Sequence, residues 1–214
     1  MYRVFFTWFF LGSTALGSYI DSAVFINEFH YDNDGADVGE FVEVVAPTGL
    51  HDLAAVTLTL YNGGNGTAYA GPIPLSTFTQ RDVVGSFAFY TLDIILQNGA
   101  PDGLALAQAG DVLQFLSYEG EFTATDGVAA GLVSTDIGVS EPPTTPAGAS
   151  LQLTGRGDSY ADFTWELLLS ETCGTVNGRQ SLVPEPASLV GWLTGLLALA
   201  LVQYRRRRQC LSVR

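Results

Sequence analysis

Apolar and polar positions alternate along this chain in short runs, separated by glycine, asparagine and aspartate. The clearest run is Val56-Thr57-Leu58-Thr59-Leu60, with an apolar side chain at every second residue. A period of two is that of a strand with one buried face. In an earlier run Val24, Ile26 and Glu28 fall on one face, with Phe25 and Phe29 on the other. Glu40-Phe41-Val42-Glu43-Val44-Val45 follows and Pro47 ends it. Phe87-Ala88-Phe89-Tyr90, Leu104-Ala105-Leu106, Val112-Leu113-Gln114-Phe115-Leu116, Leu151-Gln152-Leu153 and Phe163-Thr164-Trp165-Glu166 complete the set. Asn62-Gly63-Gly64-Asn65-Gly66 predicts a turn and Gly110-Asp111 a hairpin. No helical period outlasts a turn between residues 24 and 181. The pattern predicts an all-β fold, an antiparallel β-sandwich, large enough to bury a core without staples.

The two ends depart from that pattern. Met1-Tyr2-Arg3 precedes a short apolar run rich in Phe, then Gly12 to Gly17, mostly small residues. A basic start, a short apolar centre and an Ala-x-Gly exit predict a signal peptide over residues 1–17, cleaved near Gly17–Ser18. At the other end Val183-Pro184-Glu185-Pro186 precedes residues 187–204, which carry no charge, and then Arg205, Arg206, Arg207 and Arg208. A helix over 187–204 rises about 1.5 Å per residue, enough for a bilayer core, and the four arginines would meet anionic lipid headgroups on the cytoplasmic side. Val183-Pro184-Glu185-Pro186, one apolar helix and a terminal Arg cluster together resemble the PEP-CTERM sorting signal. That resemblance implies a transient inner-membrane anchor over residues 183–208, recognised by an exosortase-type enzyme and processed near Glu185. An unprocessed single-pass membrane protein is the alternative.

Charge sharpens the picture of what lies between. The chain has 22 acidic residues and nine arginines but no lysine. Residues 18–186 hold all 22 acids and only Arg81, Arg156 and Arg179, a net −19. Such a body repels phosphate backbones, which excludes nucleic acid as a partner. Cys173 and Cys210 lie on opposite sides of the predicted anchor, so they form no disulfide within one chain.

A second resemblance covers most of this body. Val24-Phe25-Ile26-Asn27-Glu28-Phe29-His30-Tyr31-Asp32-Asn33 and Gly39-Glu40-Phe41-Val42-Glu43-Val44 look like the opening of a bacterial lamin-tail domain. Gln97 to Leu106, Gln114 to Gly120, Ser134 to Val139 and Phe163-Thr164-Trp165 extend the likeness over residues 23–180. It implies an immunoglobulin-like sandwich that often accompanies extracellular hydrolases without being catalytic. No hydrolase domain accompanies it here, so no nuclease activity is carried over. The chain reads as a non-enzymatic exported surface or matrix protein whose partners are membrane lipids, the sorting enzyme and a polysaccharide or another surface protein. A module serving a separately encoded nuclease or phosphoesterase is the rival reading.

Four acids, Asp32, Asp34, Asp37 and Glu40, cluster between the first two strands and could hold Ca²⁺, although the spacing is not that of an EF-hand. An acidic turn capping its own backbone is the simpler reading. Otherwise no cofactor is expected. Glu28 and Glu43 could pair for acid–base chemistry, but exposed or backbone-bonded carboxylates are the plainer expectation. His30 and His51 are read as surface or turn residues without zinc-site spacing. Arg156-Gly157-Asp158 is read as part of a turn, and residues 170–183 as the linker to the anchor.

Overall fold

A computed structural model describes residues 23–183. The signal peptide, Pro184, Glu185, Pro186, the 187–204 helix and Arg205 to Arg208 lie outside the described residues. Among the described residues the fold is all-β, with two single-turn 3-10 segments at Leu75–Thr77 and Tyr160–Asp162. No helix among them is long and apolar enough to cross a membrane.

Among the described residues twelve strands form two sheets. The strands are β1 (Phe25–His30), β2 (Phe41–Pro47), β3 (Val56–Asn62), β4 (Thr67–Pro74), β5 (Thr79–Val84), β6 (Phe87–Asp93), β7 (Asp102–Gln108), β8 (Asp111–Tyr118), β9 (Thr135–Asp136), β10 (Ser150–Gly157), β11 (Phe163–Leu168) and β12 (Gln180–Leu182). One sheet runs β11-β10-β1-β2-β6-β5, with β12 added in parallel beside the end of β10; the other runs β4-β3-β7-β8-β9. All remaining pairings are antiparallel except β8 with β9. The facing sides of the two sheets share one apolar core that includes Phe29, Val42, Val44, Leu58, Leu60, Leu104, Leu106 and Leu151.

Each run singled out by alternation is a strand. The four strands it overlooks are β4 and β5, each at one end of its sheet, and the two short parallel additions β9 and β12. β5 is exposed throughout, so no apolar face marks it. β4 contains Gly71-Pro72, and proline, lacking a ladder donor, is tolerated at a sheet edge. The hairpin between β7 and β8 turns on Ala109 (φ 52°) and Gly110 (φ 93°), one residue earlier than Gly110-Asp111. Two successive positive φ angles give a two-residue turn whose twist matches its strands.

Ile26 and Glu28 do not share a face, contrary to simple alternation. Ile26 pairs with Val44 and Glu28 with Glu43, so Asn27 is an extra residue in a β-bulge. The bulge keeps Ile26 in the core and turns Glu28 to the outer side.

Both sheets are covered on their outer sides as well. Over the second sheet, residues 121–133 lay Phe122, Ala124 and Ala129 against Tyr61, Ala105 and Phe115. Gly103 of β7 sits under this cover: a Cβ there would lie 2.5 Å from the Leu116 carbonyl oxygen and 2.9 Å from the Phe122 ring. Gly103→Ala is expected to cost about 1–3 kcal/mol, read as a lowered urea midpoint with unchanged slope. Over the first sheet the cover is residues 170–183, docked mainly by side-chain hydrogen bonds, with Val176 and Leu182 packed on the core. These residues are therefore no linker: Asn177 and Gln180 are buried and β12 joins the sheet.

Candidate functional site

The polar cover rests on a row of side chains that crosses the sheet. Register places Glu166, Gln152, Glu28, Glu43 and Thr91 side by side on β11, β10, β1, β2 and β6. Read strand by strand, these are outward positions that alternation assigns to water. Glu28, Glu43 and Gln152 have no exposed surface, because the strap of residues 170–178 lies across them.

Hydrogen bonds dock the strap group by group. The Glu28 carboxylate accepts from Ser150 Oγ (2.6 Å) and Thr172 N (2.8 Å) on Oε1, and from Thr172 Oγ1 (2.8 Å) on Oε2. Glu43 accepts from Asn27 Nδ2 (2.7 Å) and Gly174 N (2.5 Å). Asn177 Nδ2 donates to the carbonyls of Asn27 and Leu153, and Gln180 Nε2 donates to Asn27 Oδ1. Those two carbonyl bonds leave Asn177 Oδ1 facing the Asn27 amide at 3.2 Å, which puts the Asn27 nitrogen on the side of Asn177 and Glu43. The Gly174 carbonyl accepts from Asp82 N, which ties the strap to β5.

Two carboxyls facing each other across a ladder cannot both ionise at low cost. Desolvation, then the neighbouring Glu28 charge, push Glu43 up to about 8. Desolvation also raises Glu28, against hydrogen bonds from Ser150 and Thr172 that hold it down. Glu28 has the richer set of donors, so of the two it is the better seat for the charge and Glu43 for the proton. The sequence places these two as a possible acid–base pair. The structure does bring them together, but beneath the strap and away from solvent.

A second buried constellation lies at the end of β1. His30 is buried, not a surface residue. Its Nδ1 meets Glu141 Oε1 at 2.8 Å and its Nε2 meets Asn33 Oδ1 at 3.2 Å. Asn33 Nδ2 donates to the carbonyls of Asp34 and Ala36, which fixes Oδ1 toward the ring. Both ring nitrogens therefore face acceptors, so the imidazole is the protonated form. Burial alone would lower its pKa, but the Glu141 hydrogen bond and charge together raise it. Glu141 Oε2 also accepts from Tyr31 N (2.7 Å) and Asp32 N (3.0 Å), and Glu141 N donates to the Tyr31 hydroxyl. The proline-rich loop after Glu141 is thus pinned to β1 through one carboxylate. His51 is exposed.

The four candidate calcium ligands are only partly assembled. Asp37 accepts from Asn33 N and Asn98 Nδ2, Glu40 Oε2 from Leu96 N, while Asp34 is exposed. Desolvation, then the adjacent Asp37, raise the Asp32 carboxyl, and desolvation with the charges of Asp37 and Asp32 raises Glu40. Among the described residues no three Asp, Glu, His or Cys side chains form a metal-binding group. Asp37, Glu40, Asp93, Glu171 and Cys173 line an open surface cavity of about 600 Å³. Burial, then the charges of Glu43 and Glu28, push the half-buried Cys173 thiol up to about 12, far from a reactive thiolate. Arg156 and Gly157 lie within β10 and only Asp158 lies in the turn, where its N–H bonds Asp162. Of the sorting motif only Val183 is described; its N–H donates to the Gly157 carbonyl.

The class defined by these features is an all-β, two-sheet sandwich with a buried polar seam. Comparison of the chain with known protein families, curated proteins and solved structures finds no match.

Proposed function

We propose that this chain is a non-enzymatic exported surface or matrix protein, a lamin-tail-like immunoglobulin-like sandwich held transiently at the inner membrane and sorted by an exosortase-type enzyme. The observation that carries the reading is the sequence of residues 183–208: Val-Pro-Glu-Pro, an uncharged stretch of helical length and four arginines in succession. The body's net −19 favours a soluble domain that avoids nucleic acid. Catalysis finds no support in Glu28 and Glu43, which the strap screens from any substrate. The sandwich serves as a binding or structural module for a polysaccharide or another surface protein.

Mass spectrometry of the mature protein tests this. Loss of Arg205 to Arg208, with the body accessible to protease in intact spheroplasts, is the expected result. A retained arginine tail means permanent anchoring, and a body protected from protease overturns export itself.

A further inference from the structure

We propose that Thr172 and Gln152 become joined by an intramolecular ester, formed by the protein on itself, which fastens the strap to β10. Five contacts carry the inference, and together they supply each part an acyl transfer needs. The nucleophile is Thr172 Oγ1, which lies 3.2 Å from Gln152 Oε1, with the amide carbon one bond beyond. The base is Glu28, whose Oε2 accepts the Thr172 hydroxyl at 2.8 Å. The polarising donor is the Gly178 backbone N–H, directed at Gln152 Oε1 from 3.4 Å, where negative charge develops as the carbon becomes tetrahedral. The leaving nitrogen, Gln152 Nε2, donates to Ser150 Oγ at 2.9 Å. Ser150 Oγ in turn donates to Glu28 Oε1 at 2.6 Å. Base and leaving group are therefore connected through one hydroxyl.

The step balances without any co-reactant. The Thr172 O–H bond and the Gln152 Cδ–Nε2 bond break, and a Thr172 Oγ–Cδ bond and a new N–H bond form. Glu28 takes the proton on Oε2; rotation of the protonated carboxyl presents it to Ser150, which passes a proton to the departing nitrogen. The products are the ester and ammonia, and nothing is oxidised or reduced. Ground-state hydrogen bonding favours the change too. The Thr172 hydroxyl has one proton but three acceptors around it, Glu28 Oε2, Gln152 Oε1 and Asn177 Oδ1. Esterification removes that competition. Burial of Glu28, Ser150 and Gln152 keeps water from competing with the hydroxyl.

Asn177 is a worse acyl donor although its Oδ1 is as near, at 3.1 Å. Its nitrogen donates to two backbone carbonyls, and neither can protonate a departing amine. Of the two amides that the Thr172 hydroxyl touches, one thus has a proton route and one has none. The reaction runs once per chain and is independent of the sorting proposed above.

The test is the mass of the full-length protein, folded and purified, followed by peptide mapping. The expected result is a body about 17 Da lighter than its sequence, the loss of one ammonia, with linked peptides carrying Gln152 and Thr172. Hydroxylamine should split that link. Thr172→Val, Gln152→Glu and Glu28→Gln should each show the unreduced mass, and Thr172→Ser should retain the loss. Circular dichroism identifies any variant that fails to fold. A wild-type body of full sequence mass overturns the proposal without recourse to variants. Linkage at Asn177, or a link that survives Glu28→Gln, overturns the assignment of these residues.

Discussion

Glu43→Gln is expected to remove most of the pH dependence of stability of the sandwich while lowering its stability at pH 5 by about 1–2 kcal/mol. A buried carboxyl pushed up to about 8 from its usual 4.5 holds a proton in the folded chain that the unfolded chain has released between those values. The folded state therefore binds more protons over that window, and stability falls as pH rises through it. His30 acts in the same direction, because its pKa is raised: its contribution is complete below about 6.5 and is lost as pH climbs through the folded value. The wild-type thermal midpoint should thus be lower at pH 9 than at pH 5, by roughly 5–10 °C. Glutamine is neutral at both pH values, so the variant's curve should be flatter. Its cost at pH 5 arises because Asn27 Nδ2 and Gly174 N each need an acceptor and glutamine has one. Asn27 is kept from turning over because its Nδ2 also faces Asn177 Oδ1, and Asn177 is fixed by two backbone carbonyls. Thermal unfolding from pH 5 to 9 checks this, and an unchanged slope in the variant would place the titration elsewhere.

Glu141→Ala is expected to cost about 3–5 kcal/mol at pH 6. It removes the acceptor for the His30 ring and for the Tyr31 and Asp32 amides together, and takes away the charge that keeps the buried ring protonated. His30→Ala leaves Glu141 with two backbone donors and should cost less. The double variant should cost well under the sum, because the second truncation removes a group the first has already orphaned. Chemical denaturation of the three variants measures the coupling; strict additivity would mean that the pair contributes nothing jointly. Hydrogen exchange should report the loss first in residues 141–148, the loop this carboxylate pins.

Eight strands were legible because each carries buried apolar side chains, β11 at a sheet edge among them, and the core they build needs little else. The other edge strands escaped that signal for a physical reason. β5 is exposed on every residue, and a strand with no buried face has no pattern to show. The Asn27 bulge was invisible as well, since one inserted residue shifts every later side chain to the other face without altering composition.

Alternation on its own determined that this chain folds as strands in two layers, and the unbalanced charge determined the acidic character of its body. Local sequence carries such properties because they depend on neighbours one or two positions apart. What the outer faces meet was decided only by tertiary structure. Glu28, Glu43 and Gln152 occupy positions that suit water, and they are dry because a segment more than a hundred residues from Glu28 folds back across them. His30 is a cation because Glu141, equally distant along the chain, reaches it. Desolvation and partner geometry set the protonation of these groups, and neither exists until the strap and the loop have docked.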